Sequence, residues 1–344
     1  MDTKILIVYT GGTIGMVKDE NGSLQPFAMN RIYEELPLLH RTSYQIDSCQ
    51  LDNIIDSSNM TPSFWVDIAN IIEREYDNYD GFVVLHGTDT MAYTASALSF
   101  MFENLSKPIV LTGSQLPLGM LRSDGRDNII LALEIAANRN PIVPEVGIFF
   151  QSHLYRGNRS TKVSAENFDA FTSYNYPSLA KAGIDLSFKD HLILPQSQEK
   201  LIVRKKFDSQ IAVLQLFPGI TPSVVRSITE NPDIHGVIIE SYGSGNAPTE
   251  KWFIDSLQAA VERGVTIMDV TQCKSGAVKL RQYAASCDLD RIGILSGHDI
   301  TIEAAVTKMM YLLGNYSDNR ELMNRLFETN IRGEMAGQLI SKFQ

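Results

Sequence analysis

Lys4-Ile5-Leu6-Ile7-Val8-Tyr9-Thr10-Gly11-Gly12-Thr13-Ile14-Gly15 is the stretch on which the fold turns. The apolar residues from Ile5 to Tyr9 are consecutive rather than alternating, so both faces of the extended segment must be covered, as in a strand of a parallel sheet. The run stops at a threonine and paired glycines, which let the backbone turn sharply and bring its amides close to a ligand. The same grammar recurs downstream. Gly81–Leu85, Ile109–Thr112 and Val146–Phe150 read as further buried strands, and Pro62–Tyr76, Ala92–Asn104 and Asp127–Asn138 as amphipathic helices between them. Thr61-Pro62 offers an N-cap with proline at the first helical position. Strand and helix in alternation predict an α/β fold with a sheet covered on both faces.

The chain has 344 residues, and at roughly 150 residues per domain about two domains are expected. The pattern weakens between Asp190 and Asp208, where Pro195, Gln196, Ser197 and Gln198 interrupt short polar runs. It then resumes with strands at Ile211–Leu216, Gly236–Glu240 and Thr266–Val270, and helices at Val224–Asn231, Lys251–Arg263 and Thr301–Leu313. The expected division is a larger N-terminal, mainly parallel-sheet domain over residues 1–190, a linker over 191–210, and a smaller α/β domain over 211–344.

Composition narrows the function. Hydrophobic residues make up 44% and charged residues 20%, ordinary globular usage that excludes disordered and fibrous classes. A chain this long can bury a core without a disulfide or metal staple. A net charge of −10 repels phosphate backbones, so no nucleic-acid partner is expected; the short basic stretch Arg204–Lys206 reads as a solvated turn. The three cysteines, Cys49, Cys273 and Cys287, are far apart and form no CxxC, which fits a reducing compartment. The first apolar run is shorter than a secretory core, and nothing approaches a membrane span. A soluble, cytoplasmic protein with no membrane partner is the expectation.

Ligands of open α/β sheets bind outside the carboxyl ends of the strands, and four small polar clusters sit there: Thr10–Gly15, Asp56–Asn59, His86–Thr90 and Thr112–Gln115. The first loop could hold a phosphate, present Thr13 as a nucleophile, or be only a tight turn; no Gly-Lys-Ser/Thr follows, so it is not a Walker loop. The third sets a hydroxyl, Thr88, beside a carboxylate, Asp89. A hydroxyl needs a base or relay to become nucleophilic. Lys162, near the cation Arg159, is a candidate proton shuttle. His86 precedes the turn inside an apolar run and reads as a packing or hydrogen-bonding residue. Two hydroxyls, a carboxylate and an amine suit hydrolysis of an amide or ester, and no metal-binding pattern or cofactor motif is present.

Tyr9-Thr10-Gly11-Gly12-Thr13-Ile14-Gly15-Met16 together with Leu85-His86-Gly87-Thr88-Asp89-Thr90-Met91-Ala92 closely resembles the bacterial-type L-asparaginase family, in particular its cytoplasmic type I branch. Asp56-Ser57-Ser58, Thr112–Pro117, Arg122–Gly125, Tyr155–Arg159, Ser241–Pro248 and Thr271-Gln272-Cys273 extend the likeness, in order, along nearly the whole chain. The resemblance implies hydrolysis of L-asparagine to L-aspartate and ammonia, with no cofactor and no metal. It implies Thr13 as the nucleophile that forms an acyl-enzyme, and a relay of Thr88, Asp89 and Lys162. Asp56, Ser57 and Ser58 would bind the α-amino and α-carboxylate groups, with Asp89 sharing the ammonium. Ser114 would lie behind the side-chain amide, where backbone groups stabilise an oxyanion. The family's larger N-terminal domain is followed by a smaller flavodoxin-like one. Its members assemble as dimers, commonly paired into tetramers, and Asn246 would reach the site from a neighbouring copy.

Two departures stand out. The family's loop tyrosine is missing from Met16–Pro26, where Ser23 takes the equivalent place; Tyr283 is the substitute that the resemblance suggests, and a packing role is its alternative. Some type I enzymes bind asparagine allosterically through an arginine where this chain has Glu240, while Thr271 and Cys273 remain. A carboxylate there repels the effector's own carboxylate, so weak or absent activation is expected. Dual asparaginase–glutaminase activity is one alternative reading. The family's amidotransferase subunit is another, disfavoured because it has an extra N-terminal domain, whereas the first strand here starts at Ile5. A third is a non-catalytic nucleotide- or amino-acid-binding module built on Gly11-Gly12-Thr13 and Gly243-Ser244-Gly245.

Overall fold

The opening run forms strand β1 (Lys4–Gly11), buried on both faces from Ile5 onward, inside an eight-stranded sheet of the computed structural model. The structure describes residues 3–18, 24–26, 36–37, 39, 42–280 and 284–339. The chain divides into two units, Met1–Lys205 and Lys206–Gln344.

In the N-terminal unit, β2 (Gln45–Ile55), β3 (Gly81–Leu85), β4 (Ile109–Thr112) and β5 (Val146–Phe150) join β1 in one parallel block ordered β2-β1-β3-β4-β5. Three antiparallel strands, β6 (His153–Arg156), β7 (Ala180–Ala182) and β8 (Leu186–Phe188), extend the sheet beyond β5. Strand order reverses between β1 and β3, and in this doubly wound order the crevice at the carboxyl ends of that pair is where ligands bind. Helix α1 (Pro62–Glu75) starts on Thr61 and proline as the sequence indicates, but the Thr61 hydroxyl pairs with Ser63 at 2.8 Å rather than capping an amide. Helices α2 (Met91–Met101) and α3 (Gly125–Ala137) complete the alternation.

Two readings of the sequence are corrected here. The stretch Ala92–Asn104 is not one amphipathic helix. Helix α2 is buried almost all round, and after Met101 the chain turns extended so that Phe102–Glu103 pairs antiparallel with Ile202–Val203. That partner lies about a hundred residues away, beyond the reach of local periodicity. For the same reason Arg204–Lys206 is more than a solvated turn. The Arg204 amide donates to the Met101 carbonyl at 2.9 Å, its guanidinium pairs with Glu103, and Lys205 pairs with Glu73.

The C-terminal unit holds four parallel strands in sequential order, β9 (Ile211–Gln215), β10 (Gly236–Ser241), β11 (Thr266–Thr271) and β12 (Leu295–Ser296). Its helices are α4 (Pro222–Thr229), α5 (Lys251–Glu262), α6 (Ala284–Arg291), α7 (Ile302–Tyr316) and α8 (Arg320–Phe327). Each unit closes on its own core, one around Ile7, Val83 and Val110, the other around Ile239, Phe253 and Ile267. No described helix is long and apolar enough to cross a membrane.

Candidate active site

The four polar clusters found in the sequence converge on the carboxyl edge around the β1/β3 crevice. Two strand-end threonines fasten that edge: the Thr10 hydroxyl donates to the Leu85 carbonyl at 3.0 Å, and the Thr112 hydroxyl to that of Phe149 at 2.8 Å. Gly12 (φ +88°) brings the loop after β1 against the loop after β3, where an added Cβ would lie 2.5 Å from the Gly87 Cα. No side chain fits there, so Thr13 and Thr88 each follow one half of a direct backbone contact. Gly87 is crowded by the Ser57 side chain in turn, and the Thr90 hydroxyl donates to the Ser57 carbonyl at 2.7 Å. A Cβ on Gly125 would come within 3.1 Å of Ser114 and 3.2 Å of Ile14, which ties the fourth cluster to the first.

Within this frame the three relay candidates are in hydrogen-bond contact. The Lys162 Nζ donates to Thr88 Oγ1 at 2.8 Å and to Asp89 Oδ1 at 2.6 Å. The Thr88 hydroxyl then donates to Gln115 Oε1 at 3.3 Å, and Gln115 is itself held by the Asn167 carbonyl at 3.0 Å. Lys162 is delivered by a two-residue strand, Thr161–Lys162, paired with Phe171–Thr172. Thr13 opens a short helical turn, Thr13–Gly15, and is half-buried.

Asp56 caps the turn Ser57–Asn59 by accepting the Ser58 amide at 2.9 Å, and those bonds from Ser58 hold its carboxyl below the usual carboxylate range. An ionised carboxylate beside a buried Ser57 has the charge to pair with an ammonium group. The Ser114 hydroxyl donates to the Leu116 carbonyl at 2.6 Å, so its side chain braces its own loop. Asp124, to which the sequence reading gave no role, accepts the amides of Gln115 and Leu116 at 3.0–3.1 Å and fixes that loop.

His86 is buried, and burial pushes its pKa down to about 4, so the ring is neutral near pH 7. Its Nδ1 meets the Gly87 carbonyl at 2.6 Å, an acceptor only, so the network assigns the proton to Nδ1. Nε2 then accepts from the Thr94 hydroxyl at 2.9 Å, and Thr94 accepts from Trp65 Nε1 at 3.1 Å. The chain Trp65–Thr94–His86 fixes the peptide before Thr88 and leaves neither nitrogen of the His86 ring free to act as a base. The parts played by Gln115, Thr94 and Asp124 are not legible in the sequence, because each acts through residues 8 to 52 positions away along the chain.

The remaining candidates lie in the C-terminal unit. Asn246 closes a tight turn in which its amide and carbonyl both bond Tyr242, at 2.8 and 2.9 Å. Glu240 and Thr271 stand at the carboxyl ends of the paired strands β10 and β11. The Thr271 hydroxyl donates to the Gly243 carbonyl at 2.5 Å and accepts the Cys273 amide at 3.0 Å. Glu240 is half-buried, and burial raises its pKa against the opposing pull of Lys274. Tyr283 and Ser23 lie outside the described residues.

Residues 4–194 match the family model "Asparaginase, N-terminal", and residues 210–327 match "Glutaminase/Asparaginase C-terminal domain". The chain is 45% identical to L-asparaginase 1 of Escherichia coli (strain K12) over 96% of its length and 97% of that protein's. It is 41% identical to the 60 kDa lysophospholipase of Mus musculus, across 97% of this chain and 63% of that protein. Among solved structures, L-asparaginase I from Vibrio cholerae superposes with a TM-score of 0.90 at 41% identity, covering 98% of this chain and 100% of that one.

Proposed function

The chain belongs to the asparaginase family, and on that premise we propose that it hydrolyses L-asparagine to L-aspartate and ammonia with Thr13 as the nucleophile and Thr88, Asp89 and Lys162 as its proton relay. The observation that carries this reading is the pair of Lys162 hydrogen bonds, to Thr88 at 2.8 Å and Asp89 at 2.6 Å, beside the Gly12–Gly87 contact.

In this reading the Thr13 hydroxyl attacks the side-chain amide carbon, forming a C–O bond. The C–N bond then breaks, and the relay protonates the leaving ammonia. Water cleaves the resulting ester to aspartate and restores the threonine. Asp56 pairs with the α-ammonium together with Asp89, and Ser57 and Ser58 bind the α-carboxylate. The loop Gly113–Leu116 backs the developing oxyanion. Tyr283 and Asn246 would complete the site, Asn246 from a second copy in a dimer or dimer of dimers, and the enzyme would work in the cytoplasm. Glutamine differs from asparagine by one methylene, a difference that a pocket discriminates by only about 1–3 kcal/mol, so some glutaminase activity is expected alongside.

Ammonia release across a concentration series of asparagine and of glutamine tests the reading. Thr13→Ala and Thr88→Val are each expected to abolish asparagine turnover, and Lys162→Met to lower kcat by roughly 10²–10⁴, with far-UV circular dichroism and melting unchanged. Substantial turnover by a folded Thr13→Ala variant would overturn the nucleophile assignment, and no ammonia release by the parent chain would overturn the function.

A further inference from the structure

The amino-terminal edge of the C-terminal sheet holds a cavity of about 390 Å³, at the start of β10 and β11 and away from the strand ends that carry Glu240 and Thr271. Its size is at the low end of small-molecule pockets. Thr266, which lines it, is 3% exposed, and its Oγ1 has no hydrogen-bond partner among the described residues. Buried hydroxyls nearly always find one.

The charge around the cavity is unbalanced. Arg263, after α5, donates to the backbone carbonyls of Ala259 and Thr229. Arg320, at the start of α8, lies over Gly264, close enough that a Cβ there would sit 3.3 Å from Nη1. Among the described residues neither guanidinium pairs with a carboxylate. The lining carboxylate, Asp208, is already engaged by the His235 Nδ1 at 2.6 Å and the Gln210 amide at 2.9 Å. Ile234, Val265, Leu313 and Met323 form apolar wall.

We infer that this cavity binds a small organic carboxylate with an apolar body, its anionic end between Arg263 and Arg320 and hydrogen-bonded to the Thr266 hydroxyl. The two guanidiniums, neither paired with a carboxylate among the described residues, supply the charge, the orphaned hydroxyl supplies a fixed point, and the apolar wall disfavours a compact, multiply charged anion. None of these residues has a part in the reaction proposed above, so the inference stands independently of it.

Isothermal titration of the full chain with phenylacetate, in saturating L-aspartate to occupy the asparagine site, tests it. Phenylacetate should bind, its uncharged isostere phenylacetamide at least about tenfold more weakly, and inorganic phosphate without measurable heat. Arg320→Ala should weaken phenylacetate binding at least about tenfold and leave asparagine turnover at the parent rate. Thr266→Val, which keeps the side-chain shape, should weaken binding severalfold with an unchanged melting temperature. Absence of phenylacetate binding, equal binding of acid and amide, equal binding of phosphate, or an Arg320→Ala variant that binds like the parent would each overturn the proposal.

Discussion

At the residue scale, function depends on how few atoms each reactive group has left uncommitted. Asp56 is the clearest case, since one carboxylate oxygen caps the Ser58 amide at 2.9 Å and the rest of the group keeps its charge. Asn at this position can still cap through its carbonyl oxygen but carries no charge. Asp56→Asn is therefore expected to fold normally and to raise KM for asparagine by about tenfold or more, the cost of an unpaired ammonium. Steady-state kinetics beside thermal melting would check this. Glu240 carries the second expectation at this scale. If a second asparagine were to bind at the carboxyl ends of β10 and β11, this half-buried carboxylate would repel its α-carboxylate, so rate against asparagine concentration is expected to be hyperbolic, and a sigmoidal curve would refute it.

At the element scale, β11 carries an unusual burden. Asp269, in its middle, is 0% exposed, and neither carboxylate oxygen has a hydrogen-bond partner among the described residues. A Cβ on Gly245 would lie 3.2 Å from its Oδ2, so the carboxyl sits directly under the turn that carries Asn246. Burial pushes its pKa from 3.8 up to about 7, only partly offset by the nearby Ser241 hydroxyl. A carboxyl with a raised folded-state pKa binds its proton more tightly folded than unfolded. Its stability contribution is therefore complete below pH 3.8 and is lost as pH rises through about 7. Over that window the loss is on the order of 4 kcal/mol. Asp269→Asn should melt like the parent chain at pH 4 and higher than it at pH 8; equal melting at both would show that Asp269 does not titrate in this range.

At the scale of the whole molecule, each unit depends on ties between segments far apart in sequence. In the C-terminal unit the Lys308 Nζ, fully buried on α7, donates to the carbonyls of Phe327 at 3.0 Å and Thr329 at 2.7 Å and to Glu334 at 2.7 Å. Glu334 also accepts the Ile331 and Arg332 amides, at 3.1 and 2.7 Å, so one ion pair fastens the segment after α8 onto α7. Removing one partner strands the other charge. Lys308→Met is expected to cost about 3–5 kcal/mol in denaturant unfolding, and the double change Lys308→Met with Glu334→Leu to recover much of that loss. A double variant as unstable as the single would mean that the pair contributes more than mutual neutralisation.

By itself the sequence determined the class of fold and the local grammar of the site. Uninterrupted apolar runs force two-sided burial, and glycine and threonine at their ends mark where the chain turns; Thr88 and Asp89 stand out at such an end, whereas Lys162 is only a candidate there and gains its relay role from the family resemblance. Tertiary structure decided what those residues touch. The strand order that sets the β1 and β3 loops side by side, the extension of Phe102–Glu103 to meet Ile202–Val203, the Gln115 contact to Thr88 and the burial of Asp269 and Lys308 all join segments distant in the chain. Periodicity reports only which face of an element is apolar. The partner that covers that face, and the charge left without one, exist only once the chain has closed on itself.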